Sequence, residues 1–295
     1  MAMTTNLGPI VQRAMLSGEL LRLRRLAGKT QEEVARQFDW STSKILRIEG
    51  GAVSVSTPDL QALLRLYDVT DATELERLTG LAKGTRERGW WQNYPLDSPD
   101  FRELLGYEAG ASYIRQFEPS IIPGLLQTPD YARIIVREFV GDLGDDQVDA
   151  LVDLRIRRQD YLADRDPRPY RFFILDEAAI RRQVGATLPH GRSIMPRQLR
   201  QIAEQSEDES MTVEVIPFAK GAHYGMRGPI VLMEFDADLG EVLYLENHRG
   251  RSRILTGREE EIIEYRERFE DLRTWTASPA DSRDLILKAA DEMEK

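Results

Sequence analysis

The chain has 295 residues, 41% of them apolar and 31% charged, with a net charge of -10. That length exceeds a typical single domain, so two domains are the starting expectation. Cysteine is absent and no run of about eighteen apolar residues occurs, which excludes disulfides, thiolate metal sites and a membrane-spanning helix.

The stretch from Met1 to Gly8 is short and polar and lacks the apolar centre of a secretory signal. A cytoplasmic location is therefore expected, with nucleoid association when bound to DNA. The charge is unevenly spread. Residues 1–85 carry 11 Lys+Arg against 10 Asp+Glu, a net of +1, which leaves -11 for residues 86–295. Phosphate attraction acts over only about 10 Å in physiological salt, so a basic head can bind nucleic acid on an acidic body.

In chain order, Leu16, Leu20, Leu23 and Leu26 recur at helical spacing, and Gly28 stops that helix. Thr30 opens a second helix, with Glu33 placed to complete a capping box, and Val34, Ala35 and Phe38 form its buried face. Asp39-Trp40 makes a tight turn, since Asp tolerates the left-handed conformation better than most residues. Ser41 then caps a third helix whose inward residues are Ile45 and Ile48 and which ends at Gly50-Gly51. A fourth helix is expected to start with Thr57 as cap and Pro58 in its first turn. A fifth spans 73–82.

Trp90, Trp91, Tyr94, Phe101, Leu104, Leu105 and Tyr107, interrupted by Pro95 and Pro99, read as the entry to a second domain. Strands are expected at 113–117, 170–175, 212–217, 229–235 and 241–246, the last two joined as a hairpin. Helices are expected at 131–139, 146–164, 177–184, 196–205, 259–272 and 281–293. The expected fold is an all-α five-helix helix-turn-helix domain over 1–85, then a larger α+β domain over 86–295 with a small, mostly antiparallel sheet.

A helix-turn-helix needs a tight turn, a capped recognition helix and apolar residues facing inward. Residues 30–51 meet all three demands, leaving Thr42, Ser43, Lys44 and Arg47 to face outward from behind the Ser41 cap. Residues 20–67 moreover resemble the Xre family, the phage-repressor type of this motif. The resemblance is carried by Thr30-Gln31-Glu32-Glu33-Val34-Ala35 and by Ser41-x-Ser43-x-Ile45-x-Arg47-Ile48-Glu49-x-Gly51.

The resemblance implies that Gln31 bonds a phosphate at the start of the bracing helix. It also implies that Thr42, Ser43 and Arg47 read bases, Arg47 by a bidentate contact with guanine, while Lys44 holds a phosphate. Asp39 stands where the family usually has glycine, and Leu46 where it has serine. Leu46 could touch a thymine methyl or a partner.

Residues 90–290 resemble the large C-terminal domain of WhiJ-like actinobacterial regulators, the Scr-type, antitoxin-like group. The matching stretches include Glu118-Pro119, Ile122-Pro123-Gly124-Leu125-Leu126-Gln127-Thr128-Pro129, Ile174-Leu175-Asp176-Glu177 and Ser278-Pro279-x-x-Ser282. This implies a regulator often paired with a small protein encoded nearby.

No enzyme chemistry is legible. Asp176 and Glu177 are adjacent, so on a helix they diverge by about 100° and fit a helix cap better than a catalytic pair. His190, His223 and His248 match no metal-ligand spacing, and no phosphate-cradling glycine loop occurs. The glycines around His223 fit a plain strand connection. A sharper alternative makes His223, Tyr224 and Arg227 a pocket for a ligand or partner. The leading expectation is a homodimeric, sequence-specific transcriptional regulator of a double-stranded DNA operator, with no cofactor or metal and with possible tuning by a small-molecule effector. The alternative is an antitoxin-like protein whose main partner is a small neighbouring-gene product.

Overall fold

The computed structural model describes residues 7–96, 98–141, 143–189, 191–246, 252–257 and 259–294, so His190 and His248 lie outside the described residues. The chain divides into two compact units, Met1–Trp90 with Ala237–Leu239, and Trp91–Asp236 with Gly240–Lys295.

The first unit is five helices: α1 (Pro9–Leu26), α2 (Gln31–Phe38), α3 (Thr42–Glu49), α4 (Thr57–Leu66) and α5 (Ala72–Gly84). Leu16, Leu20, Val34, Ile45, Ile48, Leu60, Leu63, Leu64 and Leu78 meet in one core. The helix ends follow the side-chain chemistry. Thr30 Oγ1 accepts the Glu33 N–H at 3.2 Å while the Glu33 carboxylate accepts the Thr30 N–H at 2.8 Å, completing the capping box. One expected cap shifts by a residue: α4 is capped by Ser56, whose hydroxyl accepts the Asp59 N–H at 3.2 Å, and Thr57 is already helical. Serine and threonine compete for this role on near-equal terms, so the sequence leaves the choice open.

The second unit holds a six-stranded sheet of β1 (Tyr113–Glu118), β2 (Tyr170–Asp176), β3 (Met211–Ile216), β4 (Ile230–Glu234), β5 (Glu241–Leu245) and β6 (Arg253–Gly257), in the order β3-β2-β1-β4-β5-β6. The pairs β1–β4, β4–β5 and β5–β6 are antiparallel, whereas β1–β2 and β2–β3 are parallel. The parallel half needs long crossovers. They are supplied by α7 (Pro129–Val140) and α8 (Asp145–Ala163), then by α9 (Glu177–Arg181) and α10 (Ile194–Gln205). Before the sheet comes α6 (Pro99–Gly110), and after it α11 (Glu260–Arg273) and α12 (Pro279–Met293). Neither α6 nor β6 was legible beforehand. The aromatic run hides the helical period of α6, and β6 is five residues that become a strand only by pairing with β5.

Side chains alternate across a strand, and here both faces are covered. Phe117, Phe172, Ile174, Ile230, Leu232 and Leu243 pack with Ile262, Phe269 and Leu272 of α11 on one face. The outer edge of β3 is closed as well. The Val215 N–H donates to Ser282 Oγ at 2.9 Å, and its carbonyl accepts the Ala277 N–H at 2.9 Å. That gives the Ser278-Pro279-x-x-Ser282 stretch a structural reason, because an unpaired edge invites association. Ser278 adds the cap of α12.

Buried charge in this unit is mostly paired. Arg158 is held bidentately by Glu108, and Arg115 by Glu234, Glu241 and Glu270. Glu118 is instead bonded to the Gln116 amide, at 2.8 Å. It lies on the β1 face opposite Phe117, and burial pushes its carboxyl up to about 8, with Glu246 adding to the shift and Gln116 and Arg158 opposing it.

Folding therefore retains a proton on Glu118 that the unfolded chain releases near the ordinary carboxylate value. Its contribution to stability is complete at low pH and is lost as pH rises towards about 8. At about 1.4 kcal/mol per pH unit, the loss is on the order of 4 kcal/mol. Glu118→Gln should flatten this dependence, leaving the variant more stable than the parent at pH 8 in urea unfolding. Parallel pH profiles for the two proteins would contradict this account of Glu118.

Candidate nucleic-acid interface

The helix-turn-helix is formed by α2, a turn and α3. Asp39 adopts φ 54° and ψ 42°, the left-handed conformation required where glycine is otherwise usual. Ser41 Oγ accepts the Lys44 N–H at 3.2 Å and starts α3. Gly51, at φ +68°, follows the end of that helix. Ile45 and Ile48 are buried, at 1% and 4% exposure. Ser41, Thr42, Ser43, Leu46 and Arg47 are exposed. At about 100° per residue, Thr42, Ser43, Leu46 and Arg47 occupy one arc and the two isoleucines the opposite one. The result is a helix with a rigid inner face and a free outer face of two hydroxyls, one aliphatic chain and one guanidinium. Arg47 Nε makes only a local bond to the Ser43 carbonyl at 3.3 Å, which leaves the rest of its fork available.

What holds α3 at its angle is Glu49. Its carboxylate takes Arg24 Nε at 2.6 Å and Nη2 at 2.9 Å, and also Gln31 Nε2 at 2.9 Å. Arg24 Nη1 reaches the Lys29 carbonyl at 2.7 Å. One anion at the end of α3 thus joins α1, the loop before α2, and α2 itself. The Arg24 and Glu49 side chains are only 10% and 4% exposed, so little solvent screens the pair. The carboxylate raises the Arg24 pKa, chiefly through that hydrogen bond, against the opposing effect of burial.

This geometry redistributes the roles that the resemblance implied. Gln31 is half-buried and has one amide hydrogen committed to Glu49, so its observed work is bracing. Lys44 is drawn to Asp59 at 2.9 Å and sits 3.4 Å from the Trp40 ring centroid. It ties α3 to the first turn of α4 and to the turn. The Glu49 network was missed in the sequence because Arg24 and Glu49 are 25 residues apart and each reads as an ordinary surface charge.

In the second unit, His223, Tyr224 and Arg227 do not converge on an open cleft. The His223 side chain is 3% exposed, hydrogen-bonded through Nε2 to Asp176 at 2.9 Å and set edge-on to Phe117. Tyr224 packs against Tyr265 and under Arg227 and Arg268. A β-carbon at Gly225 would collide with the Phe117 ring, so this segment lies tight on the sheet. These contacts latch the segment onto the sheet. Asp176 also caps α9 by accepting the Ala178 N–H at 2.7 Å, and Glu177 accepts the Phe218 N–H at 2.8 Å. The adjacent carboxylates hold backbone, as their spacing implied.

Among the described residues no cluster of His, Cys, Asp and Glu is arranged to hold a metal, and no helix is long and apolar enough to cross a membrane.

Glu49→Ala should destabilise the first unit by about 3 kcal/mol or more, because it strands a buried guanidinium and breaks the bond to Gln31. Urea denaturation of the full chain checks this. A loss below about 0.5 kcal/mol, the level of an exposed ion pair, would show that the network does not hold α3.

Comparison with known families gives two matches. A helix-turn-helix domain model matches residues 16–78. A model described as a domain of unknown function, DUF5753, matches residues 101–288. No curated protein and no solved structure matches the chain. The protein carries a helix-turn-helix DNA-binding domain and, with more than half of its length matched, belongs to the DUF5753 family.

Proposed function

We propose that the protein is a sequence-specific transcriptional regulator of the Xre type, binding double-stranded DNA through α3 in the major groove. The observation that carries this reading is the outer arc of Thr42, Ser43, Leu46 and Arg47 on a helix whose inner face and end are both locked. Arg47 is the residue suited to a bidentate contact with guanine O6 and N7. Thr42 and Ser43 are short enough to meet base edges or phosphates. Ser41, at the helix start, presents its backbone near the phosphate line.

Gln31 and Lys44 act mainly by posing the helix, with their remaining N–H donors directed to phosphate. One such helix spans only a few base pairs. A homodimer on a near-palindromic operator supplies the affinity that genomic discrimination requires. The C-terminal unit, similar to that of WhiJ-like regulators, is assigned the control of this activity in the cytoplasm.

Operator selection from a random duplex pool, followed by binding titrations, tests the reading. Arg47→Ala should weaken the selected site by about 1–3 kcal/mol and relax one base position, with little effect on random duplex. Equal affinity for all duplexes, governed only by salt, would reduce the head to a non-specific polycation binder.

Leu46, 59% exposed, is matched to a thymine 5-methyl group. Replacing each operator thymine in turn by deoxyuridine should weaken binding at one position in the parent and not in Leu46→Ala. Parent affinity that is indifferent to every such replacement would remove Leu46 from base reading.

A further inference from the structure

The helix crossovers enclose a chamber against the sheet face opposite Phe117. Gln116 and Glu118 stand two residues apart on β1, so they point to the same side. Gln127, Arg155, Glu246 and the aromatic ring of Phe101 add further walls. The cavity measures about 100 Å³. That is room for roughly three waters at about 30 Å³ each, or for one compact molecule of a few non-hydrogen atoms.

Its polar lining is unbalanced. Gln116 and Gln127 are 6% and 2% exposed, and the amide oxygen of each lacks a hydrogen-bond partner. Each amide nitrogen gives one bond, that of Gln116 to Glu118 at 2.8 Å and that of Gln127 to the Ile122 carbonyl at 2.8 Å. A buried acceptor left unpaired costs about 1–3 kcal/mol, and two share this one chamber.

The charges are unbalanced in the same sense. The Arg158 guanidinium is consumed by Glu108. Arg155 gives one bond to the Leu151 carbonyl and feels Glu246 as its nearest opposing charge. Neither guanidinium is bonded to Glu118, and burial, only partly opposed by Arg158, keeps the proton on its carboxyl. Two buried acceptor oxygens thus stand unpaired beside a carboxyl whose printed hydrogen bond comes from a neutral amide.

We propose that this chamber is a binding site for a small organic cation rich in N–H donors, of the size of a short alkylammonium or a guanidinium. The ammonium head meets the Gln116 and Gln127 oxygens and the Glu118 carboxyl, which releases its retained proton to solvent as the cation enters, so the net charge of the chamber is unchanged on binding. The Phe101 ring offers the aromatic face that organic cations favour. A desolvated metal ion gains less from such a wall and is better matched by several carboxylates. The site belongs to the C-terminal unit alone and goes beyond the DNA-binding reading, so either can fail without the other.

The test uses the full-length protein, titrated at low millimolar concentration with methylammonium, ethylammonium or guanidinium chloride. Sodium, potassium and calcium chloride at matched ionic strength serve as controls. At least one organic cation should give a saturable rise in Tm and a saturable calorimetric isotherm. Glu118→Gln, which keeps shape and the Gln116 bond, should weaken that binding at least about tenfold. Glu246→Gln should weaken it too, and it carries the test if circular dichroism shows Glu118→Gln to be misfolded.

Three results would overturn the proposal. They are no saturable response to any of the three cations, an equal response to the metal chlorides, or affinity unchanged in both variants. A crystal soaked in ethylammonium that shows only waters on Gln116 and Gln127 would do so as well.

Discussion

The pose of the recognition helix rests on a single buried carboxylate. Glu49 ends α3 and is gripped from α1 by Nε and Nη2 of Arg24 and from α2 by Gln31. The isoleucine core fixes how deep α3 sits, but apolar contacts are non-directional and tolerate rotation. Three charge-assisted hydrogen bonds converging on one group do not. Among the described residues, the small helical unit therefore devotes its most deeply buried ion pair to orientation. It leaves the outer arc of Thr42, Ser43, Leu46 and Arg47 exposed.

The C-terminal unit handles buried polarity in two opposite ways. On the α11 face of the sheet, Arg115 is surrounded by three glutamates, and the Asp176–His223 latch holds the adjoining segment down. On the other face, Gln116, Gln127 and Glu118 remain partly unsatisfied around a small chamber. Interiors usually satisfy nearly every polar group, and Arg115 Nε and His223 Nδ1 are unpaired on the α11 face as well; what sets the chamber apart is that two unpaired acceptors line one cavity.

Much of the first unit was legible because its determinants are local. The capping box at Thr30, the left-handed Asp39, the Ser41 cap and the three-residue spacing of Ile45 and Ile48 all act within one or two helical turns. The candidate DNA-facing arc follows from the same periodicity. The second unit was legible as a class and in most strands. Its mixed sheet order was not, because β1 pairs with β2 and β4 across long stretches of chain. The latch at His223 was not legible for a related reason. A glycine-rich loop can be open, or it can lie flat on an aromatic ring, and the glycines alone do not choose.

The sequence by itself determined where the helix-turn-helix lies, which side chains of α3 face away from its core, and most of the helices and strands, though not α6 or β6. Short-range capping, periodicity and turn chemistry are enough for that. Only the tertiary structure decided that Gln31 and Lys44 serve as braces and that Arg24 belongs to Glu49. It likewise decided that His223 is a latch and that Gln116, Glu118 and Gln127 share a chamber. Those outcomes depend on which distant groups meet after folding, and the strength of a buried polar contact is set by that meeting and not by the residue types alone.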